Sequence, residues 1–484
     1  KKIPNAILKL EPELRTRLNP IWMFGVNTCH APLWLRDDLN QHLALARQEL
    51  GFVYVRAHGT LGDNIGTIDD KGNFNFTVLI QGLERLLEHG YKPFFELSHM
   101  PSGIASNEEC ITQYRFRSAP PKDWKRWAQI VSSLVETLAG RFGLSELRRW
   151  YFEVWNEPDI RFWSGTQPEY FQLYDVTADA IKRVDPELRV GGPATSKTAW
   201  IDDFLAHITR PSADFTADAS RCDFISTHAY PSDLAFLDAA HGEVALQNSY
   251  IMSTLFSEVR RKVDAALGTG FPVFCGEWNS SAGPLAENHD DCNNAAFVVK
   301  TLVELSDVCN GSLFWNLSDI YEECGFHVEP FHGGYGLITV NGIRKAAFHA
   351  FSLLNDHRGE RVQVQIRNAP VGLGAFASAD DFSLHLLIYY HREPGEAQAA
   401  SCDVELVGLP QGDVHVTTVR PGQGSAYETW LEAGKPPFVD LPLLNTLTAA
   451  SQPKQSCLAD GRRTVRVGLG TVVQVSCHQA SPIA

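Results

Sequence analysis

The sequence predicts an α/β fold, a (β/α)8 TIM barrel, with an appended all-β sandwich domain. Three observations carry that expectation. Between residue 20 and about 355, short apolar runs alternate with longer amphipathic ones. Eight of each can be counted, and strands buried on both faces need helices to cover them. After residue 357 apolar residues fall at every second position, broken by turns such as "RPGQGSA", as in strands with one buried face.

The barrel strands are expected at "IWMFGVN" (21–27), "FVYVRAH" (52–58), "KPFFELS" (92–98) and "WYFEVWN" (150–156). The remaining four are "LRVGGPA" (188–194), "DFISTHAY" (223–230), "PVFCGEWN" (272–279) and "GSLFWNLS" (311–318). The intervening segments run from "RDDLNQHLALARQEL" to "GIRKAAFHAFSLLN". They repeat apolar residues at three- and four-residue spacing, and several stop at Gly or before Pro, as amphipathic helices do. A doubly wound open sheet competes, but the count of eight favours closure and no Gly-rich phosphate loop follows the first strand. The expected division is an N-terminal strand at 1–15 added to the sandwich, the barrel at 16–356 and the sandwich at 357–484.

Composition narrows the function. The chain has 484 residues, 44% of them hydrophobic and 20% charged, enough to bury a large core. A net charge of −15, from 42 basic and 57 acidic residues, argues against nucleic acid or an anionic membrane as partner. Ten cysteines without a CxxC pair read as buried thiols, which favours a cytoplasmic over a secreted protein. The start, "KKIPNAILKLEPEL", carries no apolar core of signal-peptide length. No cofactor loop or serine-hydrolase elbow is present. His327, Glu329 and His332 in "FHVEPFH" lack the helical spacing of a metal site, because Pro330 interrupts them, and read instead as a loop framing a pocket.

In such a barrel the chemistry stands at the C-terminal strand ends. The fourth strand ends in Asn156-Glu157 and the seventh in Glu277; the second ends in Arg56-Ala57-His58 and the sixth in His228-Ala229-Tyr230. The eighth carries Trp315 and then Glu322 and Glu323. Glu96 and Glu153 also lie on strands, and Glu153 reads as an interior residue paired to an arginine. Two acids facing one opening suit glycoside cleavage, which needs a proton on the leaving oxygen and charge stabilisation at the sugar carbon.

Four segments in order, "WNEPD" (155–159), "STHAYP" (226–231), "GEWN" (276–279) and "FWNLSDIYEECGFHVEPFHGGYGL" (314–337), resemble the family 39 glycoside hydrolases. Within that family they most resemble the bacterial β-xylosidases. The resemblance implies that Glu157 is the general acid/base and Glu277 the nucleophile. It implies that Asn156 bonds the sugar 2-hydroxyl, that His58, His228 and Tyr230 surround the scissile sugar, and that Trp315 forms the floor. Glu322 or Glu323 binds outer hydroxyls. Hydrogen-bond donors, Tyr230 or an arginine such as Arg56, are expected to hold Glu277 ionised, with no metal and no cofactor involved.

The implied activity is retaining, exo-acting release of D-xylose from xylo-oligosaccharides. Alternatives in the same clan are α-L-iduronidase, β-glucosidase, α-L-arabinosidase and xylanase; a non-catalytic carbohydrate-binding protein is the distant one. An iduronate carboxylate needs Lys or Arg in the pocket, and none is evident at the sixth-strand tip or in "LSDIYEE". The sequence leaves the oligomeric state open.

Overall fold

The structure is a computed structural model that describes residues 3–210, 222–233, 250–458 and 463–478. Eight parallel strands close in sequence order into a barrel. They are Gly25–His30, Tyr54–His58, Lys92–Leu97, Tyr151–Val154, Arg189–Thr195, Phe224–His228, Val273–Trp278 and Gly311–Phe314. A helix follows each: Asp37–Leu50, Thr77–Glu88, Trp124–Phe142, Gln167–Val184, Ile201–Thr209, Ile251–Leu267, Asn293–Leu305 and Ala346–Asn355. The TIM barrel expected from the alternating pattern is therefore present.

Local chemistry explains where these helices begin and end. Asp123 caps the third helix by accepting hydrogen bonds from the Lys125 and Arg126 amides. Thr166 and Glu169 form a reciprocal capping box on the fourth. Gly51 ends the first helix with a φ of 70°, a left-handed conformation that glycine adopts without a steric cost.

The first strand departs from expectation. Ile21–Met23 forms a short 3-10 turn, and the strand begins at Gly25. Ile21 and Trp22 are apolar because they are buried between domains, with Trp22 edge-on to Phe376 at 5.7 Å. Tertiary burial thus imitated a strand pattern in that stretch.

The second domain is a mixed sheet of ten strands. Asn5–Arg17 lies inside it, antiparallel to Glu360–Arg367 and parallel to Ser401–Val407. Leu8 and Val404 from this half share one core with Leu386 and Val475 from the other, so the sheet folds over itself like a sandwich. Two helices that period-two reading does not anticipate, Tyr427–Glu432 and Leu441–Ala450, pack with Phe331 of the barrel. Residues 1–2, 459–462 and 479–484 of the predicted N-terminal and sandwich segments lie outside the described residues. Among the described residues, no helix is long and apolar enough to cross a membrane.

Candidate active site

The site is built around one guanidinium. Arg56, on the second barrel strand, is fully buried. Its Nε donates to Glu153 Oε1 at 2.6 Å and its Nη1 to Glu277 Oε1 at 2.7 Å. Nη2 donates to Asn156 Oδ1 at 2.9 Å and stands 2.9 Å from Glu96 Oε2. A buried cation is tolerable only when so neutralised. Burial in turn pushes the Glu96 carboxyl up to about 7 even beside Arg56, which relieves the crowding of anions. Gly276 leaves room for this arrangement: a Cβ there would sit 3.1 Å from the His228 ring.

Glu157 reaches the same space through an unusual backbone turn. Trp155 has φ 75° and Glu157 φ 42°, both in the left-handed region that side chains disfavour. The turn is held by the Glu157 amide donating to Ala194 O at 2.8 Å, and by Tyr170, whose hydroxyl lies 2.8 Å from Val154 O and 2.9 Å from Pro193 O. His228 Nδ1 then stands 2.9 Å from Glu157 Oε1 and 3.6 Å from Glu277 Oε2. One oxygen of each carboxyl group and that nitrogen all lie within 4.8 Å of one another. Tyr230 donates its hydroxyl to Glu277 Oε2 at 3.0 Å.

Environment separates the two acids. Burial drives the Glu157 carboxyl well above its usual range, and the charges of Asp159, Asp233 and Glu323 push it further. Burial also raises Glu277, but His228 and Arg56 oppose the rise. A proton shared by this pair therefore rests on Glu157, while Arg56 and Tyr230 hold Glu277 as the anion. Burial lowers both His58 and His228 to about 4, so each is neutral at pH 7.

A cavity of about 270 Å³ opens above these groups, close to the lower bound of about 300 Å³ for ligand sites. His58, Asn156, Glu157, Tyr230, Glu277, Trp315 and Glu323 all line it. His228 does not: it is fully buried behind the carboxyl groups and positions them. Glu322 is also turned away, 2.7 Å from His30 Nε2 and 3.4 Å from Arg36 Nη1. Of the adjacent pair, Glu323 faces the cavity and accepts a hydrogen bond from Tyr321. Glu153 is paired with Arg56, as its strand position suggested.

Several lining residues escaped sequence reasoning. Tyr335 is brought in by a loop pinned at Lys345, whose ammonium lies 2.5 Å from Asp290, 2.7 Å from Asp319 and 2.9 Å from Gly334 O. Asp233 lies two residues after "HAYP" and could have been found from that motif. Arg161 and Lys197 also line the cavity, where the expectation was of no Lys at the sixth-strand tip and no Arg in "LSDIYEE". That expectation examined the sixth and eighth strand ends, whereas these cations come from the loops after the fourth and fifth.

Glu157, His228 and Glu277 are close enough to surround a metal ion. The Arg56 guanidinium, 2.7 Å from Glu277, already occupies the role of counter-cation and would repel a divalent ion. His327 and His332 stack on each other at 4.7 Å, and His332 Nδ1 bonds Glu329 O. Among the described residues they form no grouping suited to a metal.

A TIM barrel with a buried acid on its fourth strand tip and an arginine-paired carboxylate on its seventh has the arrangement of a glycosidase. The model of glycosyl hydrolases family 39 matches residues 7–465. The chain belongs to that family. It is 36% identical to a β-xylosidase of Caldicellulosiruptor saccharolyticus, over 92% of this chain and 91% of that one. The crystal structure of a monomeric β-xylosidase from Caulobacter crescentus CB15 superposes with a TM-score of 0.85 at 29% identity, covering 98% of this chain and 100% of that chain. Human α-L-iduronidase is more distant at 24% identity, covering 93% of this chain and 75% of the other.

Proposed function

We propose that this glycosidase is a retaining, exo-acting β-xylosidase that releases D-xylose from the non-reducing ends of β-1,4-xylo-oligosaccharides. The approach of the Glu157 and Glu277 carboxyl groups to within 4.8 Å carries the reading. Retaining enzymes hold their two carboxyl groups about 5–5.5 Å apart, whereas an inverting pair leaves a gap of about 6.5–9.5 Å for water. Glu277 attacks the anomeric carbon while Glu157 protonates the leaving oxygen. Water activated by Glu157 then hydrolyses the glycosyl–enzyme ester, and the configuration is kept. Asn156, oriented by Arg56, meets the sugar 2-hydroxyl.

The xylose assignment is supported by the β-xylosidase relatives and by the small cavity walled by Trp315, Tyr335 and Phe162. The buried thiols of Cys29, Cys275 and Cys309 support a cytoplasmic enzyme, and the net charge of −15 supports a neutral glycan substrate over nucleic acid or membrane. The pairing of Asn5–Arg17 with Glu360–Arg367 supports counting residues 1–15 with the sandwich at 357–484 and 16–356 as the barrel.

The test is a panel of aryl β-xyloside, β-glucoside, α-L-arabinoside and α-L-iduronide, with the first-formed anomer followed by NMR. Predominant hydrolysis of the β-xyloside to β-xylose is the expected result. Inversion, or preference for the iduronide, would overturn the proposal.

A further inference from the structure

Arg161 and Lys197 line the cavity yet serve none of the catalytic contacts. Lys197 is half-buried and Arg161 exposed. Among the described residues, neither forms an ion pair with a carboxylate, in a site where Arg56, His58 and His228 are all paired. Both stand on the Glu157 side. Arg161 lies in the turn that starts at Glu157, where the Ile160 amide bonds Glu157 O at 3.2 Å. Lys197 sits in a turn clamped to the same segment, because Ser196 donates its amide and hydroxyl to Asp159 at 2.8 and 2.6 Å.

The backbone here is strained. Lys197, Thr198 and Trp200 have φ of 55°, 53° and 59°. Such conformations are disfavoured for residues with a side chain and gather at ligand clamps and active sites. Lys197 faces the cavity without a direct ion pair, and its charge is felt by the Asp159 and Asp233 carboxyls nearby.

An acid that protonates a leaving oxygen faces the leaving group, and groups on its flank meet that part of the substrate. Groups around Glu277 meet the sugar being transferred instead. We infer that Arg161 and Lys197 form a cationic rim on the leaving-group side, which selects substrates whose leaving group carries a carboxylate. Uronate-branched xylo-oligosaccharides and carboxylated phenyl xylosides share that chemistry. The inference rests on the β-xylosidase reading and deepens it. Asp233 and Glu323 also line the cavity, and burial raises Asp233 to about 7, so it opposes an incoming anion only weakly at neutral pH.

The test compares kcat/KM for 4-carboxyphenyl and 4-carbamoylphenyl β-D-xyloside in the wild type, Lys197→Met, Arg161→Met and the double variant. The readout is the ratio of charged to neutral substrate, so a general loss of activity cancels. A charge-assisted contact changes that ratio by about tenfold. The double variant is expected to lower it by this amount, and 0.5 M NaCl to lower it in the wild type but not in the double variant. A ratio equal in all four proteins, with both xylosides hydrolysed, would overturn the cationic rim alone. Loss of turnover on both xylosides in the wild type would overturn the β-xylosidase reading and this inference with it. A second arm compares xylotriose with and without a glucuronate branch on its middle unit. Preference for the branched sugar places the carboxylate on a glycan, and preference confined to the aryl pair places it on a phenol; either result supports the rim.

Discussion

At the N-terminal end of the barrel interior, Phe24, Phe94, Phe224 and Phe274 close on Tyr54, Tyr151 and Leu313. Two residues further along the same strands stand Arg56, Glu96, Glu153 and Ser226, joined by ion pairs and hydrogen bonds. The two layers share one backbone and one pleat, since inward-facing residues recur every second position. They differ in what a substitution removes. The aromatic layer holds the barrel shut through area and ring contacts, such as Phe24 stacked on Phe274 at 4.7 Å. The ionic layer contributes little net stability, because desolvating its charges offsets their attraction, and instead aims Glu277 and Asn156. Stability and chemistry are thus separated by about 7 Å along each strand.

Breaking the catalytic tip itself gives the largest effect. Glu277→Ala should lower kcat on every substrate by on the order of 10⁵-fold; residual turnover near wild type would remove the nucleophile assignment. Glu157→Ala should lose about 10²–10⁴-fold on xylobiose but far less on 2,4-dinitrophenyl xyloside. Azide should restore that turnover and yield β-xylosyl azide. Equal losses on both substrates would contradict the acid role.

The middle layer comes next. Arg56→Met leaves Glu96 and Glu153 buried without a cation and should cost about 3–5 kcal/mol of stability, read by urea denaturation. Activity should fall as well, because Glu277 loses its partner. Phe274→Ala should cost a similar 3–5 kcal/mol by leaving a void in the floor, yet keep the wild-type pH profile. A shifted profile in Phe274→Ala would show that the two layers are not separable.

The smallest change sharpens the comparison. Activity in the wild type should fall at low pH as Glu277 takes up a proton, and at high pH as Glu157 loses its own. Tyr230→Phe removes a donor that stabilises the Glu277 anion, so the acid limb should move to higher pH, with kcat/KM falling about tenfold. An acid limb that stays in place would show that Arg56 alone keeps Glu277 ionised.

Much of this was legible in the chain. "WYFEVWNEPD" and "PVFCGEWN" each set a polar tip on a buried strand, and a carboxylate in that position has few structural uses. Other features were not legible for identifiable reasons. Adjacent glutamates in "YEE" have the same local chemistry, and only His30 and Arg36, far away in sequence, pull Glu322 out of the site. His228 ends the sixth strand and is fully buried behind the carboxyls, whereas Tyr230 lies beyond that strand, where the chain has left the sheet, and faces the cavity. Ile21 and Trp22 looked like a strand because inter-domain burial selects the same residues.

The chain by itself determined the alternation of strand and helix, the period-two module that follows, and which strand tips end in acids. These depend on short-range patterning, which any window of the sequence displays. Tertiary structure decided the distance between the carboxyl groups, the different surroundings that set them apart and the presence of Arg161 and Lys197 in the cavity wall. Each of those depends on burial and on charges brought together from separate strands, and closure of the barrel is what creates both.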